Sequence, residues 1–92
     1  MPNIKFPLWQ IAATPGALEA LRKAGDEPMM YLIRHQTGDW GDVPEEDAKE
    51  NEFSVENDLR ILSAYRLKDG TKIWVLTEAD RSSTCLLLPS EY

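Results

Sequence analysis

Asp69-Gly70 stands between two β-rich runs, RILSAYRL and KIWVLT, and limits what the last third of the chain can become. Both residues of such a pair tolerate positive φ, so it predicts a two-residue hairpin turn joining antiparallel strands. A further run, STCLLL, follows the polar bend Glu78-Ala79-Asp80-Arg81 and ends at Pro89. Together the runs predict a β-meander over residues 60–88. A two-residue turn sets Tyr65 opposite Trp74 and Ser63 opposite Leu76 on one face, with Leu62, Ala64, Ile73 and Val75 on the other. Both faces then carry apolar side chains and need cover, from helices or from the twin subunit of a homodimer.

Upstream, Thr14-Pro15 reads as an N-cap and first helical position, with Ala17, Leu18, Ala20, Leu21 and Ala24 at helical spacing and Gly25 as the stop. A second helix is expected from an Asp26 cap to Gly38, with Met29, Met30, Leu32 and Ile33 as its apolar face. A third is expected from an Asp42 cap to about Glu52. Its Glu45, Glu46 and Asp47 stack at the positive end of the dipole, and Ala48 with Phe53 or Val55 turns inward. Leu8–Ala13 reads as a short strand or as an ordered segment lying on the sheet, and residues 1–7, with Pro2 and Pro7, as a loose arm. The fold class expected is α+β: a three-stranded antiparallel β-meander at the C-terminus covered by two to three short N-terminal helices.

Ninety-two residues make one domain, residues 1–92, and 42% hydrophobic against 28% charged residues places it among globular chains. Sixteen acidic against ten basic residues give a net charge of −6. That field repels a phosphate backbone, so direct nucleic-acid binding is not expected, whereas a protein partner with a basic surface is. No apolar run is long enough to cross a bilayer, and Met-Pro-Asn-Ile-Lys-Phe-Pro lacks the features of a secretion signal. The single Cys85 forms no disulfide framework, which fits the cytoplasm. One histidine and one cysteine make no standard zinc site, the acids from Asp39 to Asp47 match no calcium loop, and no cofactor motif is present.

Two constellations carry candidate chemistry. His35 with Glu78 and Arg81, near Thr77, Ser82, Ser83 and Thr84, has the acid, base and phosphate-binding types that metal-independent ribonucleases use. Gly38-Asp39-Trp40-Gly41-Asp42 displays an aromatic residue rimmed by acids, as an interface anchor would. The binding surface expected combines Asp39, Trp40 and Asp42 with Glu78, Asp80 and Arg81, provided the tryptophan turn and the second bend of the meander share one patch.

HQTGDWGD (35–42), Glu50-Asn51, LSAY (62–65), IWVLTEADRSST (73–84) and LLPSEY (87–92) resemble a group of small bacterial proteins carried on plasmids, integrative elements and phages. These are described as plasmid-related proteins and sometimes as type I restriction subunits. A methyltransferase subunit needs a cofactor-binding α/β domain, which ninety-two residues cannot hold. What the resemblance implies is a mobile-element setting. The expectation is therefore a small acidic, non-enzymatic interaction or regulatory module, aimed at a host defence or nucleic-acid-handling complex, with the ribonuclease-like enzyme as its alternative.

Overall fold

A computed structural model describes residues 3–92 of the chain. In order, its elements are β1 (Gln10–Ala13), α1 (Pro15–Ala24), α2 (Pro28–Gln36), α3 (Glu45–Asn57), β2 (Ile61–Arg66), β3 (Lys72–Thr77) and β4 (Ser83–Leu87), followed by a 3₁₀ turn over Pro89–Glu91. The class is α+β as expected, but the sheet is four-stranded and mixed, in the order β1-β4-β3-β2. β2, β3 and β4 form the antiparallel meander, and β1 joins β4 in parallel. The physical reason lies in β4, whose Thr84, Leu86 and Leu87 are buried. A strand buried on both faces belongs in a sheet interior with a neighbour on each side.

The hairpin register differs from expectation by one residue, pairing Tyr65 with Ile73, Ser63 with Val75 and Ala64 with Trp74. Leu67 N–H bonds Thr71 O at 2.8 Å and Gly70 N–H bonds Leu67 O at 2.9 Å, so the loop is Lys68-Asp69-Gly70. This is the three-residue hairpin with glycine left-handed at its end, and Gly70 has φ +90°. Burial decides the matter, because a one-residue slip exchanges the faces of a strand. The observed register gathers Ile61, Ser63, Tyr65, Ile73, Val75, Thr77, Thr84 and Leu86 on the helix-covered face. Tyr65 stacks near Tyr31 at 5.4 Å, while Trp74 lies on the outer face against Tyr92 at 5.5 Å, so the expected Tyr65–Trp74 pair does not form.

Helix α1 follows its sequence signals: Thr14 Oγ1 accepts Ala17 N–H at 3.1 Å, and Gly25 closes the helix at φ +67°. In α2 the inward face is Tyr31, Leu32 and His35, leaving Met29, Met30 and Ile33 at least half exposed. The rotation follows from the polar groups: His35 and Tyr31 find buried partners, which the methionines do not need. Asp26 is not the cap of α2; its Oδ2 accepts the Tyr31 hydroxyl at 2.8 Å and Lys68 N–H at 2.9 Å. Helix α3 runs to Asn57, beyond the expected end, and buries Asn51 and Ser54 with Val55 partly covered, while Phe53 faces out. Asp42 does not cap α3 but pairs with Arg66 at 3.1 Å.

Of the arm expected over residues 1–7, residues 1 and 2 lie outside the described residues, and the remainder is tied down. Lys5 N–H bonds Gln36 O at 2.9 Å, Gln36 Nε2 donates to Phe6 O at 3.1 Å, and Phe6 and Leu8 are buried.

The Trp40–Asp42 turn docks on the free edge of β2, where Ala64 N–H bonds Trp40 O at 3.1 Å and Asp42 N–H bonds Ala64 O at 2.6 Å. Gly41 takes φ +77° there, and a Cβ on it would stand 2.1 Å from Ala64 O. Gly41→Ala is expected to cost at least about 2 kcal/mol, whereas Gly70→Ala, which meets only backbone strain, costs about 1 kcal/mol. Urea denaturation midpoints of the two variants check the difference; equal midpoints would show that the turn is not docked.

Candidate functional site

Three of the polar residues singled out in the sequence, His35, Thr77 and Thr84, meet in the interior. His35 is 0% exposed, and both ring nitrogens have partners: Nδ1 lies 2.5 Å from Ser63 Oγ and Nε2 lies 2.9 Å from Thr77 Oγ1. Thr77 Oγ1 is 2.7 Å from Thr84 Oγ1, which donates to Leu8 O at 3.1 Å. One proton per hydroxyl fixes the direction of the whole chain. Thr84 gives its proton to Leu8 O and so accepts from Thr77, leaving Thr77 to accept from His35 Nε2–H. Burial pushes the ring's pKa down to about 3, so the imidazole is neutral and Nδ1 accepts from Ser63.

Aromatic rings seal the same spot. Phe6 meets His35 edge-on at 5.2 Å, and Trp40 does so at 6.0 Å while stacking on Phe6 at 6.2 Å. Trp40 is thus buried, its Nε1–H donating to Glu52 Oε2 at 3.0 Å. The glycines beside it permit the turn that folds it inward.

Arg81 is 8% exposed, with φ +62°. Its Nη1 donates to Leu59 O at 2.7 Å, Ala79 O at 3.1 Å and Glu78 O at 3.2 Å, and its Nη2 donates to Ser54 O at 2.8 Å. The guanidinium therefore clamps the end of α3 to the β3–β4 bend, and it lies over Phe6 at 5.7 Å. Strand alternation sends Thr77 inward and Glu78 outward, where Glu78 pairs with Arg60 at 3.4 Å. His35 and the Thr77–Thr84 pair do share one place, but it is sealed. The Glu78 carboxylate is outside it, and the Arg81 N–H groups are spent on carbonyls.

The expected binding patch is divided. Asp39 and Asp42 border a shallow depression with Arg34, Tyr65 and Arg66, whereas Glu78 and Asp80 border another with Arg60 and Ser82. The two depressions are anchored by Arg66 and Arg60 at opposite ends of β2, a span of about 20 Å for an extended strand. Within the first, Arg34 Nε donates to Asp39 Oδ2 at 2.7 Å and holds that carboxyl below the usual carboxylate range. Arg34 also lies over the Tyr65 ring at 4.6 Å, and burial raises the Tyr65 hydroxyl, which donates to Asp39 O at 2.6 Å. Ion pairs thus neutralise this depression. Among the described residues, no group of three or more His, Cys, Asp or Glu side chains could hold a metal ion, and no helix is long and apolar enough to cross a membrane.

Trp9 and Ile11, not singled out in the sequence, turn out to be prominent: Trp9 is 71% exposed at φ +53°, and Ile11 is exposed beside Leu18 and Met29, which were expected to turn inward on their helices. The signal for Phe6 and Leu8 was their i, i+2 spacing around Pro7, which turns both to one face of an extended chain. Cys85 is half-buried on the outer sheet face, and burial with the nearby Glu91 keeps its thiol raised. Comparison with known proteins finds no matching family model, no matching curated protein and no matching solved structure.

A histidine held down to about 3 in the fold, against 6.5 when unfolded, binds its proton more readily in the unfolded chain. Its contribution to stability is complete above pH 6.5 and is lost as pH falls toward 3, at no more than about 1.4 kcal/mol per unit. The imidazole is expected to stay neutral and Nε2-protonated from pH 8 to 5 by ¹⁵N NMR; titration near its ordinary value would refute the sealed chain. Thr77→Val, which strands His35 Nε2–H and removes the donor to Thr84, is expected to cost about 2–4 kcal/mol in denaturant titration.

Proposed function

We propose that this chain is a non-enzymatic protein-interaction module that acts on a partner with a basic surface. The observation that carries the reading is a division of roles. His35, Arg81 and Trp40 spend their polar groups inside the fold, while helix α3 turns a dense acidic face outward. Glu46, Asp47 and Glu50, with Lys49 as the one basic residue among them, border a shallow surface with Phe53 and Leu59, both about half exposed. An acidic rod edged by an aromatic and an aliphatic side chain suits a basic groove lined by apolar stems. It offers long-range attraction from the charges and a desolvated contact from Phe53.

A nucleic-acid-handling complex has such a groove, and the resemblance to mobile-element proteins makes a host defence complex the natural target. Residence in a reducing cytoplasm belongs to the same reading, since Cys85 has no partner for a disulfide. The net charge of −6 favours a protein partner over direct contact with DNA or RNA.

The test is affinity capture from the native host, followed by kinetics on the captured partner. Glu46→Lys combined with Glu50→Lys is expected to slow association about tenfold or more at low salt, with the difference shrinking as salt rises. Phe53→Ala is expected to speed dissociation and leave association unchanged. An unaltered rate in both variants would remove α3 from the interface.

A further inference from the structure

One edge of the sheet is closed and the other is open. On β2 the outward backbone groups of Leu62 and Ala64 are taken: the Asn51 amide bonds Leu62 O at 2.8 Å and Leu62 N–H at 3.2 Å, and the Trp40–Asp42 turn takes both groups of Ala64. On β1, Thr14 N–H bonds Leu86 O at 3.0 Å, so alternation along a parallel ladder turns the backbone groups of Ile11 and Ala13 outward. Among the described residues no bond beyond the β1–β4 ladder reaches either of them.

Two further observations fall on this edge. An apolar groove runs beside it between β1 and the helices, lined by Ile11, Leu18, Met29, Leu32 and Leu86, with Glu27 as its one charged residue. At the head of the strand, Trp9 combines left-handed φ +53° with a ring 71% exposed. A bulky side chain is disfavoured in that conformation, and glycine or asparagine takes it at lower cost. Here the isolated fold bears both the strain and the exposed indole, and Asp80 borders the same small depression as Trp9 and Gln10.

We propose that the open edge of β1 takes up an extended segment of a partner protein as a fifth strand, apolar at its centre and basic at both ends. Backbone groups of Ile11 and Ala13 supply the ladder, the groove takes an apolar side chain, Trp9 covers one end, and Glu27 and Asp80 face basic residues toward either end. Charge selects this occupant over a second copy, which would bring another Glu27 and a further −6 to the same edge. The strand-addition edge is distinct from the α3 surface, which lies on the far side of the sheet beyond β2.

The probe is an eight-residue valine–lysine peptide, four valines flanked by two lysines at each end, titrated at 0.15 M salt and followed by backbone amide NMR, with a valine–glutamate peptide of the same pattern as control. The valine–lysine peptide is expected to shift Gln10–Ala13, to slow exchange of the Ile11 and Ala13 amides, and to bind at least tenfold tighter than the control. Glu27→Lys is expected to erase most of that preference. Trp9→Asn is expected to weaken binding about tenfold while its melting temperature holds or rises, and Met29→Lys to weaken it without unfolding the chain. Glu46→Lys with Glu50→Lys should leave peptide affinity unchanged, which separates this edge from the α3 reading. Absence of binding, shifts confined to other elements, equal affinity for the two peptides, or concentration-dependent self-association through β1 in sedimentation would each overturn the proposal.

Discussion

Every layer of the fold meets at the His35 imidazole. Its two nitrogens join helix α2 to Ser63 on β2 and Thr77 on β3, and Thr84 carries the connection through β4 to Leu8 before β1. Each link is worth only about 1 kcal/mol net, but stranding a buried partner costs more than a made bond returns. The network is therefore stabilising when complete and penalising when any strand slips by one residue. It also has only one proton arrangement, because the terminal acceptor, Leu8 O, is a carbonyl. A polar chain of that kind selects one register and one helix rotation from several that apolar packing alone would tolerate.

The N-terminal segment completes this centre. Phe6 lies against His35, Trp40 and Arg81 at once, so one ring closes the imidazole off from water and gives the guanidinium an apolar bed. Arg81 in turn gathers carbonyls from the end of α3 and from the bend that contains it. Its left-handed backbone is held by those bonds. A buried arginine without a carboxylate partner is tolerable here because several carbonyl dipoles point at it.

Much of the local structure was legible in the sequence because it rests on local chemistry. Thr14-Pro15 and Gly25 bound α1, and Asp69-Gly70 turns the chain, since caps and turns are decided within a few residues. What depended on distant partners was not legible. Lys68 joins the hairpin loop because the core face had to hold Tyr65 beside Tyr31, a contact between residues far apart in the chain. The helical spacing of Met29, Met30, Leu32 and Ile33 is as apolar as that of Tyr31, Leu32 and His35, and only the hydroxyls on β2 and β3 favour the latter. The candidate site fared least well, because residue types suited to catalysis are equally suited to satisfying one another in a core.

The tryptophans make the same point in a form that bears on function. Trp40, displayed between glycines, is inside because Glu52 accepts its N–H and Phe6 offers a face to stack on. Trp74, on a β-rich run, is left half-covered on the outer face by Tyr92. Trp9, with nothing in its local sequence to mark it, stands in solvent on strained backbone. An indole goes inside only where both its ring and its N–H are provided for. The fold provides for Trp40 through a glycine turn docked on β2, yet leaves Trp9 beside the sheet's open edge. His35 and Arg81 are closed inside the fold, while the acids of α3 and the apolar side chains of Trp9, Ile11 and Met29 face outward.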